Sequence, residues 1–166
     1  MIRVIVPAML ILALVAVSVG ELVYGYPQLP VQVASHFDGQ GVPNGWMPKA
    51  SFVSFCAVLY LAIGAGTLVT IGAIRYIPAV MINLPHKQFW LAPERERATR
   101  QMLVQRLLWF WVGTWMFLAW ILHGSLEVNL GRAQTLTLLP ALAIYFGFVA
   151  VWLAEFVWHF SRHRGS

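Results

Sequence analysis

The sequence is poor in charged residues. Only 10% of its 166 residues are Asp, Glu, Lys or Arg, and 60% are apolar, whereas about a quarter of an ordinary soluble domain is charged. A soluble protein of this length cannot bury so much apolar surface. The composition therefore excludes an ordinary soluble domain and predicts a chain whose solvent is lipid.

Cysteine is nearly absent. Cys56 is the single one in the sequence, so no intrachain disulfide can form and a loop outside the membrane must be stabilised by packing. We expect Cys56 to be a small apolar core residue.

The common catalytic signatures are also missing. The sequence contains no phosphate-binding glycine loop, HExxH, nucleophile elbow or paired-cysteine motif. Nucleotide-driven and zincin-type enzymes are therefore not indicated, and no cofactor is expected.

Long uncharged runs are what the sequence has instead. Four of them hold 17, 25, 20 and 22 residues, and a helix that crosses the hydrocarbon core needs about 20. They predict an all-α integral membrane protein, one membrane domain with four transmembrane helices. The expected segments are helix 1 at 4–24, an outer loop at 25–49, helix 2 at 50–74, a cytoplasmic segment at 75–106, helix 3 at 107–126, helix 4 at 133–154 and a tail at 155–166.

The first run has a second interpretation. Arg3 precedes it, and the small residues Ser18 and Gly20 stand before Glu21, as in a cleavable signal peptide. However, the run is longer than the usual apolar region of about 7–15 residues. We therefore expect a retained helix, with a cleaved leader as the alternative.

Basic residues lie mainly on one side of this four-helix chain. Since such residues are enriched on the cytoplasmic side, both termini and the 75–106 segment are predicted to be cytoplasmic, with residues 25–49 facing outward. This topology and anionic lipid headgroups explain the net charge of +5, so no nucleic-acid partner is expected. The nine residues on the basic side are Arg3, Arg75, Lys87, Arg95, Arg97, Arg100, Arg106, Arg162 and Arg164.

Helix 3 is predicted to begin outside the membrane. Pro93 suits a first turn, the acidic Glu94 and Glu96 follow it, and Glu96 with Arg100 forms an i,i+4 pair. We expect one helix from about residue 93 to the outer end of helix 3, protruding about 20 Å into the cytoplasm. It is either a solvated helix or a docking surface.

Small residues recur at helix-packing spacing on the other three helices, and such stripes let membrane helices approach closely. They predict the packing faces: Ala13, Ala16 and Gly20 on helix 1, Ala62, Gly66, Thr70 and Ala73 on helix 2, and Ala143, Gly147, Ala150 and Ala154 on helix 4. Helix 3 is crowded with aromatic residues, some of which we expect to face lipid or another chain.

The outer loop contrasts with the rest of the chain. Residues 31–37 alternate weakly like a strand, with Val33 and Phe37 on one face. Gly39, Gly41, Pro43 and Asn44-Gly45 then predict turns up to the start of helix 2.

This loop also carries a resemblance to a known family. The stretch "LPVQVASHFDGQGVPNGWMPK" resembles the bacterial domain-of-unknown-function module at the N-terminus of Sdp-type immunity membrane proteins, and "NLPHKQFWLAPERERAT" resembles single-module, four-helix relatives. The matching loop residues are His36, Phe37, Asp38, Gly41, Pro43 and Lys49. Those of the second stretch are Asn83, Pro85, Trp90, Pro93, Glu94 and Arg95.

The resemblance implies a small, multi-pass protein of the bacterial inner membrane. The best-described members of the group confer resistance to a membrane-active peptide toxin and take part in signalling through a membrane-sequestered repressor. Those immunity proteins continue beyond four helices, so membrane location and the loop motif carry over more readily than the activity.

Ionisable residues expected near the outer face are the remaining candidates for chemistry: Glu21, His36, Asp38, His123 and Glu127. Imidazole and carboxylate groups suit Zn²⁺ and a metal-activated water. The alternative is that His36 and Asp38 hydrogen-bond the turns of the loop while the other three lie at the wet interface.

Three classes of function are compatible with these features. We expect first an accessory or binding protein. Its partners would be the lipid bilayer and a membrane protein or peptide, and a homo-oligomer is also compatible with the sequence. A metal-dependent membrane enzyme comes second. A small transporter or channel subunit comes last, because helices 2 and 4 show no polar stripe beyond a few threonines.

Overall fold

The computed structural model describes residues 2–162, so His163 and Arg164 of the predicted tail lie outside the described residues. It is mostly helical. Four of its helices are long and apolar enough to cross a membrane, which confirms the prediction of a four-helix membrane protein. They are α1 (Ile2–Gly25), α2 (Lys49–Tyr76), α4 (Glu96–Asn129) and α5 (Leu138–Ser161), and the short α3 (Lys87–Trp90) lies before α4.

A β-hairpin joins α1 to α2. Its strands are β1 (Gln32–Phe37) and β2 (Pro43–Pro48), paired antiparallel from Gln32 opposite Pro48 to Phe37 opposite Pro43. The segment with Pro43 and Asn44-Gly45 is thus a strand, where the sequence predicted turns. A bulge next to His36 interrupts the register, and this allows a strand so rich in Gly and Pro to pair.

The central helix is α4, because α1, α2 and α5 all pack on it. Trp115 of α4 is 3% exposed and meets the ring of Tyr60 of α2 edge-on at 5.2 Å. On the α5 side, the Thr114 hydroxyl lies 3.1 Å from that of Tyr145. Two other aromatics of α4, Trp109 and Trp120, remain 42% and 39% exposed.

The small-residue prediction was wrong for two helices. Ala13, Ala16 and Gly20 of α1 are exposed, and so are all four members of the α5 stripe. In α1, the residues buried against its neighbours include Pro7, Ser18 and Gly25. Each predicted stripe lies on the opposite side of its helix from the residues that pack. On α5, the packing side carries Tyr145, Phe148 and Trp152 instead, whose rings meet aromatic rings of α4.

Helix boundaries also differ from those predicted by the uncharged runs. Helix α5 begins at Leu138 because residues 130–137 form an irregular connection, and it continues through Glu155, which forms an ion pair with Arg106 of α4. Helix α4 begins at Glu96, since Pro93 lies in a turn in which Arg95 and Glu96 both bond back to Ala92.

Two apolar clusters lie at opposite ends of the helices. One cluster, beneath the hairpin, consists of Leu29, Val33, Phe52, Cys56, Leu122 and Leu126. The other, beneath the segment between α2 and α4, consists of Ile82, Leu84, Leu91, Leu103 and Phe160. The hairpin and the segment between α2 and α4 therefore each cover a core of their own.

Candidate functional site

The tip of the hairpin is shaped by Asp38. Its carboxylate accepts hydrogen bonds from the backbone N–H groups of Gln40 and Val42, each at 2.9 Å. Its own backbone N–H donates to the carbonyl of Val42 at 2.9 Å. These bonds use the Asp38 side chain to form the turn, as Asp commonly does at such positions.

Gly41 allows the tip to touch the connection between α4 and α5. The backbone N–H of Leu136 donates to the Gly41 carbonyl at 2.9 Å, and Gly41 has a φ of +80°. A Cβ at this position would lie 1.8 Å from the carbonyl oxygen of Leu136. Only glycine fits here, on both steric and backbone grounds.

Asn129, the last residue of α4, fixes the middle of β1. Its Oδ1 accepts from the backbone N–H of Ala34 at 2.6 Å, and its Nδ2 donates to the carbonyls of Ala34 at 3.0 Å and Ser125 at 2.9 Å. The side-chain amide thus pairs with both backbone groups of Ala34 at the free edge of β1, as a residue of a third strand would. The sequence prediction missed this residue. An Asn at the end of an apolar helix could have indicated it, because such an amide needs hydrogen-bond partners from another segment.

Lys49 holds the base of the hairpin. Its backbone N–H donates to Val31 at 3.0 Å, while its Nζ donates to the carbonyls of Tyr26 at 3.4 Å and Leu29 at 3.3 Å. The same ammonium lies 4.9 Å from the centre of the Tyr26 ring. The basic residue of the loop motif therefore ties the end of α1 to the start of α2.

The other loop-motif residues lie along the hairpin. His36 is exposed, its Nδ1 is 3.1 Å from the Ser35 hydroxyl, and a Cβ added at Gly45 would lie 3.0 Å from the His36 Cβ and 3.2 Å from its Nδ1. Phe37 is half-buried and pairs with Pro43. His36 thus presents its ring on the outside of the hairpin.

The candidate metal ligands are spread over three places. Glu21 and His123 meet at 2.8 Å between Oε1 and Nδ1, joining α1 to α4. Glu127 pairs with Arg132 at 3.1 Å, and Asp38 is used in the turn. Within residues 2–162, no three His, Cys, Asp or Glu side chains are grouped so as to hold a metal ion.

At the opposite end, Arg100 caps α2. Its guanidinium donates to the carbonyls of Ile74 at 2.6 Å and Ile77 at 2.8 Å, and Glu96 orients it through a 2.8 Å bond to Nε. The last carbonyls of a helix lack partners within the helix, and a planar cation supplies two donors at once. The predicted i,i+4 pair therefore also fastens α2 to α4.

The residues of the second motif have mainly structural contacts. The Trp90 indole donates to the Phe160 carbonyl at 3.0 Å, and the Trp90 carbonyl accepts from the Thr99 hydroxyl at 2.6 Å. Arg95 lies 3.9 Å over the ring of Phe89 and 3.5 Å from Glu94. Asn83, Pro85 and Pro93 are exposed.

The two ends differ in charge. Among residues 2–162, the end that holds the α2–α4 connection has eight basic and three acidic residues, whereas the hairpin end has two basic and three acidic ones. The hairpin end is also rich in exposed apolar side chains: Trp46 is 61% exposed, Val31 76% and Val42 43%.

Residues 8–61 match a family described as a domain of unknown function, DUF1648. The match covers most of α1, the whole hairpin and the first part of α2. It confirms the predicted likeness of the loop to a domain-of-unknown-function module, while residues 83–99 lie outside it. No curated protein and no solved structure is significantly similar to the chain.

Proposed function

We propose that this chain is a small accessory protein of the bacterial inner membrane that binds a peptide or membrane-protein partner through its hairpin. Both termini are cytoplasmic in this proposal and the hairpin faces outward. The charge difference between the two ends supports that orientation, because basic residues are enriched on the cytoplasmic side.

The observation that carries the binding role is the contrast between the two faces of the hairpin. One face is fixed on the helices, with Val33 fully buried and its cross-strand partner Met47 packed against the same apolar cluster. The other face carries Trp46, which is 61% exposed beside its cross-strand partner Ala34, whose backbone is held by Asn129. A rigid support that presents an exposed tryptophan is typical of binding surfaces, where Trp is enriched among the residues that dominate affinity.

The resemblance of the loop to Sdp-type immunity proteins suggests the kind of partner. With such a partner, the exposed face of the hairpin would bind either a membrane-active peptide or a membrane protein that takes part in signalling. Immunity and signalling are therefore the two roles to be tested first, as roles of a binding protein without chemistry of its own.

Mild-detergent copurification from the native host tests the proposal. We expect a stoichiometric partner that is lost in the Trp46→Ala variant and retained in a Trp158→Ala variant. Trp158 is a matched control, since it is 56% exposed near the other end of the molecule. A partner that both variants retain, or that both lose, would contradict binding through the hairpin.

A metal-dependent enzyme is the second candidate, and the contact between Glu21 and His123 is the observation that favours it. It predicts a stoichiometric metal ion in protein purified without chelator, and loss of that metal in the His123→Ala variant. Purified protein without bound metal would exclude this candidate.

A further inference from the structure

A half-open cavity of about 140 Å³ lies beneath the hairpin, between α2 and α4. Ser35 and Phe37 of β1 form its upper wall together with Leu136, and Phe55 of α2 stands at its side with 58% of its surface exposed. Because the hairpin covers the top, the cavity communicates with the lateral surface of the helices. In a membrane protein that surface faces lipid.

The described residues that line the cavity carry no charge. Most are Leu, Ile, Phe or Tyr side chains, which suit a hydrocarbon chain and exclude an anionic headgroup as the group bound inside. Two hydroxyl groups of this apolar wall have no hydrogen-bond partner among residues 2–162, those of Tyr60 of α2 and Ser125 of α4. Ser125 is the more deeply buried of the two residues, with only 5% of its surface exposed.

An unpaired hydroxyl donor in an apolar site favours a ligand that brings an acceptor. The depth of Ser125 narrows the choice of acceptor. It lies four residues before the end of α4 at Asn129, or about 6 Å along the helix axis at 1.5 Å per residue. With the end of α4 taken as the membrane boundary, this is the level at which the ester carbonyl of a phospholipid joins its acyl chain.

We propose that the cavity between the hairpin, α2 and α4 binds the ester-linked acyl chain of a membrane lipid, with the Ser125 hydroxyl donating to the ester carbonyl. The chain enters past Phe55 and lies against Leu59 and Ile121, which also line the cavity. This site is distinct from the exposed Trp46 face and goes beyond the partner binding proposed above.

Photolabelling in reconstituted vesicles tests the proposal. The wild-type chain is incorporated into phosphatidylcholine vesicles that contain a phosphatidylcholine with a diazirine on one acyl chain. One probe carries that chain through an ester and the other through an ether, which lacks the carbonyl acceptor. Labelled positions are then identified by peptide mass spectrometry, with the exposed α5 residues Ile144 and Phe146 as the reference for ordinary lipid contact.

We expect the ester probe to label residues 52–60 and 118–125 several-fold more than the reference. The ester probe should also exceed the ether probe there by about two- to tenfold, the range of a single net hydrogen bond. The Ser125→Ala variant should lower ester labelling to the ether level, and Leu59→Phe should reduce labelling by both probes by filling the cavity.

Equal labelling by the two probes in the wild-type chain would overturn the proposal, and so would cavity labelling no stronger than that of α5. Labelling by a free diazirine fatty acid but not by the phospholipid would also overturn it, since it would identify a different occupant. The ester–ether comparison uses the unchanged chain, so a variant that fails to fold does not affect the result.

Discussion

The hairpin and the segment between α2 and α4 solve one problem with different chemistry. Each places backbone polar groups at the end of a set of membrane helices, where unpaired groups are costly. The hairpin uses a neutral amide, that of Asn129, which bonds both backbone groups of Ala34. The segment between α2 and α4 uses a cation, Arg100, which bonds two carbonyls at the end of α2.

The difference follows from what each end of the molecule leaves unpaired. A strand edge offers donors and acceptors alternately, so a side chain with both is the suitable partner. A helix C-terminus offers acceptors only and carries partial negative charge, so a cation is suitable. The comparison teaches that Arg100, one of the basic residues at the end opposite the hairpin, has a structural role besides any role in membrane orientation.

The largest expected effect is a difference in chemical labelling between the two ends of the molecule, which reports the side of the membrane that each end faces. In a Cys56→Ala background, Asn44→Cys in the hairpin and Arg97→Cys on α4 would each provide one exposed thiol. A membrane-impermeant maleimide applied to intact spheroplasts should label the first and not the second. Both should react after permeabilisation, and the reverse pattern would contradict an outward-facing hairpin.

Gly41→Ala should cause the largest loss of stability. The added Cβ would meet the Leu136 backbone at 1.8 Å, and the φ of +80° would become strained. We expect a loss of about 2–4 kcal/mol in the free energy of unfolding in detergent. Gly39→Ala is the matched control, because nothing lies within 4 Å of its Cβ; equal losses in both variants would rule out the close approach as the cause.

Arg100→Lys should cost somewhat less. It keeps the positive charge but cannot bond Ile74, Ile77 and Glu96 in the same planar geometry. We expect a loss of about 1.5–3 kcal/mol and faster hydrogen exchange at residues 74–77. The exposed Arg97 on the same helix provides the control substitution Arg97→Lys, which should leave both measurements unchanged.

Asn129→Asp should have the smallest effect of the set. A carboxylate can still accept from the Ala34 N–H, but it cannot donate to the carbonyls of Ala34 and Ser125. We expect a loss of about 1–2 kcal/mol. Asn44→Asp in the same hairpin, at an exposed position, should be close to neutral, and an equal loss there would point to a general effect of added charge.

The sequence was sufficient to predict the four long helices. It was insufficient to predict the structure of the segments between them. Uncharged runs of about 20 residues have few alternatives to membrane helices, so all four were predictable. Their ends were not, because Glu155 continues α5 by pairing with Arg106 and residues 130–137 leave the helix to reach the hairpin. An uncharged run indicates the part of a helix that lies in lipid. The residues at which the helix begins and ends depend on contacts with other parts of the chain.

In the candidate site, too, local features could be predicted from the sequence and long-range contacts could not. Asp38 and Gly41 belong to a turn whose signals are local, so their positions could be read from neighbouring residues. Asn129 and Leu136 contact the hairpin across 95 residues of chain, and no local pattern encodes such a partner. The β2 strand was missed for this reason, since Pro43 and Gly45 favour turns unless a docked neighbour selects the extended form.

The bond between Gly41 and Leu136 also determines an order of assembly. Synthesis proceeds from the N-terminus, so α1, the hairpin and α2 emerge before either of the anchors at residues 129 and 136 exists. Until α4 has inserted and the connection to α5 has formed, the backbone edge of the hairpin is therefore open, and its apolar side is covered only in part, by the residues of α2. Ribosomes stalled before residue 129 would carry an undocked hairpin, accessible to proteases and membrane chaperones in a way that the finished protein is not.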